Sequence, residues 1–341
     1  MRLIQRVATT PWILCSSMLL ACLGAASAQT VAEMPAMQAA SSTRLVLLGT
    51  GAGPIPRKDR SQPANLLVVG GRPYLVDAGN GVARQLAHAG YVPSDVRTVF
   101  ITHHHVDHNA DMGALMSFAW IEDNKRNDKS VAPMSFYGPS STSALVQAAQ
   151  GFLAVSERIF RAGVPMSPVA GRFEGHDIAG PGEVFRDDRI VVTAVENSHY
   201  TGTNANAAST TDKSYSYRFD TPGRSIVFCG DTGPSEALTT LAKNADVLVC
   251  EVNDLDASMK EIASTMRLPP LVLKAVRMHM ERQHITPEQI GQLAQKANVK
   301  SVVLTHYAPG LDGETDLSKY TDGVRKYFSG TVIAGRDLFE F

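Results

Sequence analysis

The chain has 341 residues, of which 44% are hydrophobic and 19% are charged. This is an ordinary globular composition, and it excludes a largely disordered chain, a collagen and a coiled coil. Lysine and arginine number 32 against 33 acidic residues, a formal net charge of −1. Proteins that bind nucleic acid through its phosphates normally carry a basic patch. The sequence contains no basic run, so we expect no nucleic-acid partner.

Residues 1–28 differ from the rest of the chain and predict a signal peptide. Arg2 and Arg6 precede an apolar stretch that is shorter than the roughly 20 residues a membrane span needs. Residues 26–28 are Ala-Ser-Ala, the small-x-small pattern that precedes signal cleavage. We therefore expect a mature protein that begins at Gln29, is periplasmic or secreted, and is not stably inserted in a membrane.

A lipoprotein attached through Cys22 is the alternative for this region. Residues 29–43, rich in Ala, Ser and Met, are predicted to form a linker or flexible arm, and residues 44–341 to form one folded domain. Signal cleavage leaves only Cys229 and Cys250. Both lie in apolar, β-branched runs, where a free buried thiol is more common than a disulfide. Unpaired cysteines are therefore the favoured prediction, and a disulfide, which an exported chain can form, is the alternative.

Short apolar runs bounded by Gly, Pro or Asn predict strands, and longer periodic segments predict helices. The predicted strands are Leu45–Leu48, Asn65–Val69, Pro73–Val76, Thr98–Ile101, Met134–Tyr137, Ile190–Glu196, Ser214–Asp220, Arg224–Phe228, Asp246–Cys250 and Ser301–Leu304. The predicted helices are Gly81–Ala89, Asp111–Trp120, Ser140–Ala154, Ser235–Lys243 and Thr286–Ala297. Because strands and helices alternate without a linker, the pattern indicates a single layered α/β domain.

A glycine-rich segment, Gly49–Gly53, follows the first predicted strand. It superficially matches the start of a dinucleotide-binding loop, but Pro54 and Pro56 stand where the third glycine is required. No helix opens there, so the segment is predicted to be a turn.

The strongest chemical signal is Thr102–His108, which reads T-H-H-H-V-D-H. In extended chain His103 and His105 point the same way and can bind one metal ion. Asp107 and His108 follow where a helix begins and can face a second ion. Imidazole with carboxylate suits zinc and related transition metals.

Three further candidate ligands follow predicted strands: His199, Asp231 and His306. In layered α/β folds the ligand site lies beyond the carboxyl ends of the strands. We therefore expect these three residues to complete a site for two metal ions.

Together these motifs resemble those of the metallo-β-lactamase fold superfamily, in particular its ribonuclease Z and arylsulfatase-like branch, over essentially all of residues 43–341. The supporting segments are Leu48–Gly51 with Arg60, Asp77–Gly81, Thr102–His108, Asn197–His199, Phe228–Thr232, His284–Pro287 and Leu304–Pro309. The resemblance implies a four-layer αββα sandwich with a dinuclear zinc site along one edge.

The resemblance also implies a role for each candidate ligand. His103, His105 and His199 would hold one Zn²⁺, Asp107, His108 and His306 would hold the second, and Asp231 would bridge both. Two Zn²⁺ per chain lower the pKa of a shared water, so that a metal-bound hydroxide attacks the substrate. Asp107 is also implied to orient or deprotonate that water.

His284 resembles the histidine with which this branch protonates the leaving oxygen; the alternative is a residue that merely begins the next helix. Asp77 resembles a carboxylate that supports the metal ligands. Glu251 can orient His284, although Cys250 stands where the family usually has a histidine. The remaining histidines match nothing in the pattern and are predicted to be structural or exposed: His88, His104, His176 and His279.

Departures from the family narrow the function. Asp231 argues against a true metallo-β-lactamase, and His105 in place of Glu argues against the diiron flavoproteins. Residues 308–310, Ala-Pro-Gly, lack the basic residue usual in enzymes that process tRNA. Residues 253–283, rich in Met, and the polar loop 200–213 are predicted to shape a pocket for a small substrate with an apolar part.

The sequence therefore predicts an exported dinuclear-zinc hydrolase that cleaves a small ester, namely a phosphodiester or aryl sulfate, with a lactone as a further option. The alternatives are a non-catalytic periplasmic metal-binding protein and a mono-iron sulfur dioxygenase. The ester type, the metal loaded in the cell and the oligomeric state, a homodimer included, stay open.

Overall fold

The computed structural model describes residues 42–126, 131–200 and 212–341, and its strands form two sheets of seven. In chain order the strands are β1 (Thr43–Gly49), β2 (Ala64–Val69), β3 (Arg72–Val76), β4 (Thr98–Phe100), β5 (Met134–Gly138), β6 (Phe173–Asp177), β7 (Gly182–Arg186), β8 (Val191–Glu196), β9 (Tyr215–Asp220), β10 (Ser225–Phe228), β11 (Val247–Asn253), β12 (Ser301–Ala308), β13 (Thr331–Ala334) and β14 (Phe339–Glu340). The first sheet has the order β14-β1-β2-β3-β4-β5-β6, and the second has the order β13-β12-β11-β10-β9-β8-β7.

The helices connect these strands. They are α1 (Val82–His88), α2 (Val106–Asn109), α3 (Met112–Arg126), α4 (Thr142–Gly163), α5 (Glu236–Leu241), α6 (Leu255–Met266), α7 (Pro270–Gln283), α8 (Pro287–Ala297) and α9 (Ser318–Arg325). Within the described ranges, none of the helices combines the length and apolar character that crossing a membrane requires.

The core lies on both faces of each sheet, as β1 illustrates. Leu45 and Leu47 belong to the apolar cluster between the two sheets, whereas Val46 and Leu48 pack with the side chains beneath the helices of the first sheet. A third cluster joins the second sheet to its own helices. Because both faces of the strand are covered, β1 reads as a continuous apolar run. The molecule is a helix–sheet–sheet–helix sandwich, which confirms the predicted αββα fold.

The predicted strands and helices are all present, and several extend further than predicted. The helix predicted to end at Ala154 continues to Gly163, and the strand predicted to end at Leu304 continues to Ala308. The elements that the pattern did not predict are β6, β7, β13, β14, α6, α7 and α9. The predicted signal peptide, most of the predicted arm and residues 201–211 of the predicted loop lie outside the described residues.

The carboxyl ends of the strands bring the candidate residues together. In the first sheet β3, β4 and β5 are parallel, and in the second sheet β10, β11 and β12 are parallel. Parallel strands end at the same edge of a sheet. The segments that follow β4 and β10, and the last residues of β12, therefore meet at one edge of the sandwich.

The prediction that Cys229 and Cys250 are unpaired is wrong, because the structure joins them in a disulfide. Phe228 pairs with Val249 in the parallel register of β10 and β11, so the two cysteines that follow lie side by side. Their Cα atoms are 5.0 Å apart, within the range that a disulfide spans. The apolar runs correctly indicated burial, but the pairing depends on a register that neither run reveals alone.

Candidate metal centre

The structure brings all seven predicted metal ligands to the same edge of the sandwich, and six of them form two triads. The donor atoms within each triad lie within 4.8 Å of one another. One triad consists of His103, His105 and His199, and the other consists of Asp107, His108 and His306. All of these side chains are buried except that of His105, which is exposed. The centre is therefore open to solvent on the side of His105.

Asp231, the seventh residue, lies between the two triads. Its Oδ2 is 4.0 Å from Nε2 of both His103 and His199. Its Oδ1 is 3.3 Å from Nε2 of His108 and 3.2 Å from Nε2 of His306. Each carboxylate oxygen thus faces a different triad, which is the arrangement that a bridging ligand requires.

Two buried nitrogens test whether these residues fit metal ions. Nε2 of His103 and Nε2 of His108 have no hydrogen-bond partner among the described residues. A buried polar atom without a partner costs free energy, and a metal ion would remove that cost. Imidazole nitrogens with carboxylate oxygens are the donors that zinc takes in proteins. The residues present therefore fit a pair of metal ions.

Asp77 orients one of these histidines through hydrogen bonds. Its Oδ1 accepts the backbone N–H of Thr102 at 2.8 Å, and its Oδ2 lies 2.9 Å from Nδ1 of His108. The proton of His108 is then held at Nδ1 by the carboxylate, which leaves Nε2 for a metal ion. His199 is held similarly, because its Nδ1 lies 2.9 Å from the carbonyl oxygen of Gln283.

The electrostatics of the centre call for positive charge. Burial lowers the pKa of His199 to about 3, so this imidazole is neutral and ready to bind a cation. Burial opposes charge on His108 and His306 as well, but the carboxylate of Asp231 outweighs it and raises the pKa of both histidines. Divalent cations would take the place of these protons, since metal binding releases protons from its ligands.

The glycine-rich turn has a function that its sequence did not reveal. The backbone N–H of Gly53 donates to Oδ2 of Asp107 at 2.9 Å. A Cβ atom at Gly53 would lie 2.2 Å from Cγ of Asp107, a distance that no side chain can occupy without displacing the carboxylate. Only glycine allows this approach, so the segment that follows β1, which opens no helix, positions Asp107.

His284 lies at the mouth of the centre, between α7 and α8. Its Nδ1 is 2.7 Å from Oε2 of buried Glu251, whose other oxygen accepts the backbone N–H of Thr232. Burial opposes charge on His284, but the attraction of Glu251 and their hydrogen bond raise its pKa to about 9. The cap of α8 is Thr286, whose side chain accepts from the backbone N–H of Gln289. His284 is therefore not needed to begin the helix.

Two histidines that were predicted to be structural or exposed lie beside the centre. His104 and His279 line a pocket that also contains His105 and Tyr200. The prediction missed them because His104 occupies an x position of the motif and because α7, which carries His279, was not predicted. His88, by contrast, is exposed at the end of α1, and His176 stacks on Tyr137 with ring centroids 4.5 Å apart.

Comparison with known proteins agrees with this architecture and donor set, which define a metallo-hydrolase of the αββα type. The sequence profile of the beta-lactamase superfamily domain matches residues 72–307, well over half of the chain. The chain therefore belongs to the β-lactamase superfamily, as its motifs implied, and it is a metal-dependent hydrolase acting on ester bonds.

Individual relatives share most of their length with the chain. The ribonuclease Z of Mycobacterium bovis is 28% identical over 297 residues, covering 86% of this chain and 96% of that protein. The metallo-β-lactamase fold protein YhfI from Bacillus subtilis has a TM-score of 0.62 at 18% identity, covering 88% and 98% of the two chains. The short form of human tRNase Z has a TM-score of 0.59 at 20% identity, covering 87% and 98%. These two solved structures share the fold.

Proposed function

We propose that the chain is an exported dinuclear-zinc hydrolase that cleaves a small phosphodiester. The observation that carries this proposal is the position of Asp231, whose two oxygens face two separate triads of ligands. A site for a single metal ion needs no carboxylate of this kind. The similarity to ribonuclease Z over 86% of the chain favours a phosphodiester over an aryl sulfate or a lactone.

The described residues divide the work of ester hydrolysis between them. When bound, two Zn²⁺ ions supply a low-pKa water and offset the charge that develops on the attacked phosphorus. Asp107, held by Gly53, has Oδ2 3.4 Å from Nε2 of His306, and it would orient that water or take its proton. His284 has its Nδ1 engaged by Glu251, so Nε2 is the atom that donates a proton to the leaving oxygen.

This proton donor separates the proposal from its alternatives. A metal-binding protein without turnover needs no buried carboxylate to keep His284 charged beside the ligands. A mono-iron dioxygenase would leave part of the second triad unused, whereas all three of its side chains converge here.

RNA is a second candidate substrate. The sequence predicts no nucleic-acid partner, but the relatives include proteins named as ribonucleases.

We expect the purified protein to contain two zinc ions per chain and to hydrolyse bis-p-nitrophenyl phosphate. Elemental analysis and release of p-nitrophenolate measure both, and a precursor tRNA assayed in parallel tests RNA. His88→Ala, a change at an exposed position outside the centre, is the control and should match the wild type. Two zinc ions without hydrolysis of any phosphodiester, sulfate ester or lactone would favour a metal-binding protein, whereas iron would favour a dioxygenase.

The disulfide between Cys229 and Cys250 supports the proposal of export, because disulfides persist in oxidising compartments and are rare in the cytosol. We expect material recovered from the periplasm or medium to begin at Gln29 and to have the mass of the disulfide form, two hydrogens below the reduced chain. Intact-mass analysis before and after reduction measures both features. A lipid-modified Cys22 would establish the lipoprotein alternative, and an uncleaved chain with two free thiols would contradict export.

A further inference from the structure

A pocket of about 360 Å³ adjoins the open side of the metal centre. Its wall includes His105, the exposed member of the first triad. A group bound in the pocket is therefore next to the metal-ligating side chains. The volume is at the lower end of the range for small-molecule sites. The pocket is therefore large enough for one ring system of a substrate.

Planar rings form much of the pocket wall: His104, His105, Tyr200 and His279. The Tyr200 ring stacks on the ring of His199, with centroids 5.1 Å apart and planes at 30°. It also meets the ring of His105 edge-on, at 5.4 Å and 72°. These contacts hold the tyrosine ring in place as part of the pocket wall. Aromatic faces arranged in this way favour a planar, π-rich partner.

The charged groups of the pocket do not favour an anion in addition to the phosphoryl group at the metal centre. The ammonium group of Lys213 is 2.9 Å from the Glu196 carboxylate, and Asp212 adds a further negative charge to the wall. The described lining therefore carries no excess positive charge. An anionic phosphoryl group is attracted to the metal centre, whereas the pocket beside it suits an uncharged group.

We propose that this pocket, which we call the ring pocket, binds a planar aromatic group, an aryl ring or a nucleobase, that is esterified to the phosphate of the substrate. The proposal rests on the proposed function and names its substrate class. Helix α7 connects recognition to the centre, because His279 and Gln283 are one turn apart and lie on the same face. The carbonyl oxygen of Gln283 accepts a hydrogen bond from Nδ1 of His199, and His284 is the next residue after Gln283.

Ligand binding without turnover tests the ring pocket. We expect the zinc-loaded protein to bind phenylphosphonate about tenfold more tightly than methylphosphonate, because stacking against aromatic side chains is worth about that factor. Titration calorimetry measures both affinities. A second pair, adenosine 5′-monophosphate against ribose 5-phosphate, tests a nucleobase in place of an aryl ring. A preference within either pair supports the proposal and identifies the aromatic group.

Variants localise the preference. His279→Ala is expected to reduce the preference for the aromatic ligand about threefold to tenfold while leaving the affinity for methylphosphonate and the zinc content unchanged. His88→Ala, the same substitution at an exposed helical position outside the pocket, should retain the full preference. Tyr200→Leu provides a second test at another ring of the pocket wall.

Equal affinities within both pairs, or no measurable binding of either aromatic ligand, would overturn the proposal. A preference that persists in both His279→Ala and Tyr200→Leu would overturn it as well. Failure of the proposed function is a separate result, because it appears as the absence of phosphodiester hydrolysis, whereas the ring pocket is judged on binding alone.

Discussion

Asp231→Ala should leave the protein folded but deprive it of most of its zinc and of nearly all of its activity. Among the residues that the structure describes, Asp231 is the one side chain whose oxygens face both triads. Without it, each ion is short of a ligand and the charge of the two ions is no longer offset. Metal ions stabilise the transition state of hydrolysis by several kcal/mol, so we expect activity to fall by about 10³-fold or more. Elemental analysis and the rate of bis-p-nitrophenyl phosphate hydrolysis measure the two losses.

Asp246→Asn is a matched control for this experiment. Asp246 lies beside β10 and β11 at the end opposite to Asp231. Its Oδ2 accepts the backbone N–H of Ser225 at 2.7 Å. Its loss should lower the melting temperature while leaving zinc content and turnover per folded molecule near those of the wild type. Full zinc occupancy with normal turnover in Asp231→Ala would show that Asp231 is not a bridging ligand.

The sequence predicted the centre well because its chemistry is concentrated in local patterns. The spacing of His103, His105, Asp107 and His108 restricts all four side chains to one short segment. The distant residues His199, Asp231 and His306 could be proposed because each follows an apolar run, and the ends of strands gather at one edge. What the spacing could not provide was the division of Asp231 between two triads, since that depends on how the two sheets face one another.

Two of the unpredicted strands, β6 and β7, share a physical cause, namely that they bury little apolar surface. In β7, for example, Gly182–Arg186 is half-buried or exposed along its whole length, so no alternation of apolar and polar residues marks it. In β6, Phe173 alone is buried. Such edge strands are held by backbone pairing to a neighbour, which leaves little trace in the side chains.

Helices α6 and α7 were not predicted, for a related reason. The ring pocket, which α7 helps to form, was therefore not predicted either. Ser258 is the only buried residue of α6, and Gln283 is the only one of α7. Neither helix therefore presents the wide apolar stripe that identifies a helix packed on a core. His279 could not be assigned to a pocket while its helix was unknown. The sequence predicts that this stretch shapes a pocket, and His279 and Gln283 do line the ring pocket, but the described lining contains none of the methionines on which the prediction was based.

His284→Ala should retain zinc yet lose roughly 10²–10⁴-fold in rate on substrates with poor leaving groups, which is the usual contribution of a general acid. The loss should shrink for p-nitrophenyl esters, because p-nitrophenolate departs without protonation. A metal ligand would cost every substrate alike through lost zinc, and a residue needed only for folding would lower stability without regard to the leaving group. Comparing alkyl and p-nitrophenyl esters, with zinc measured in each sample, separates these roles.

The pH dependence of the alkyl ester provides the second readout. A general acid works while protonated, and the pKa of His284 is raised to about 9, so the wild-type rate should hold through neutral pH and fall as the pH passes about 9. His284→Ala should lack that decline. Glu251→Gln removes the carboxylate that holds the proton at Nδ1. Burial, which lowers the pKa of His284, is then opposed only by Asp231 and Asp107, so the decline should move toward neutral pH. Equal losses of rate on both esters, with zinc retained, would contradict proton donation by His284. A pH decline that Glu251→Gln does not move would contradict it as well. In either case the leaving oxygen would take its proton from water.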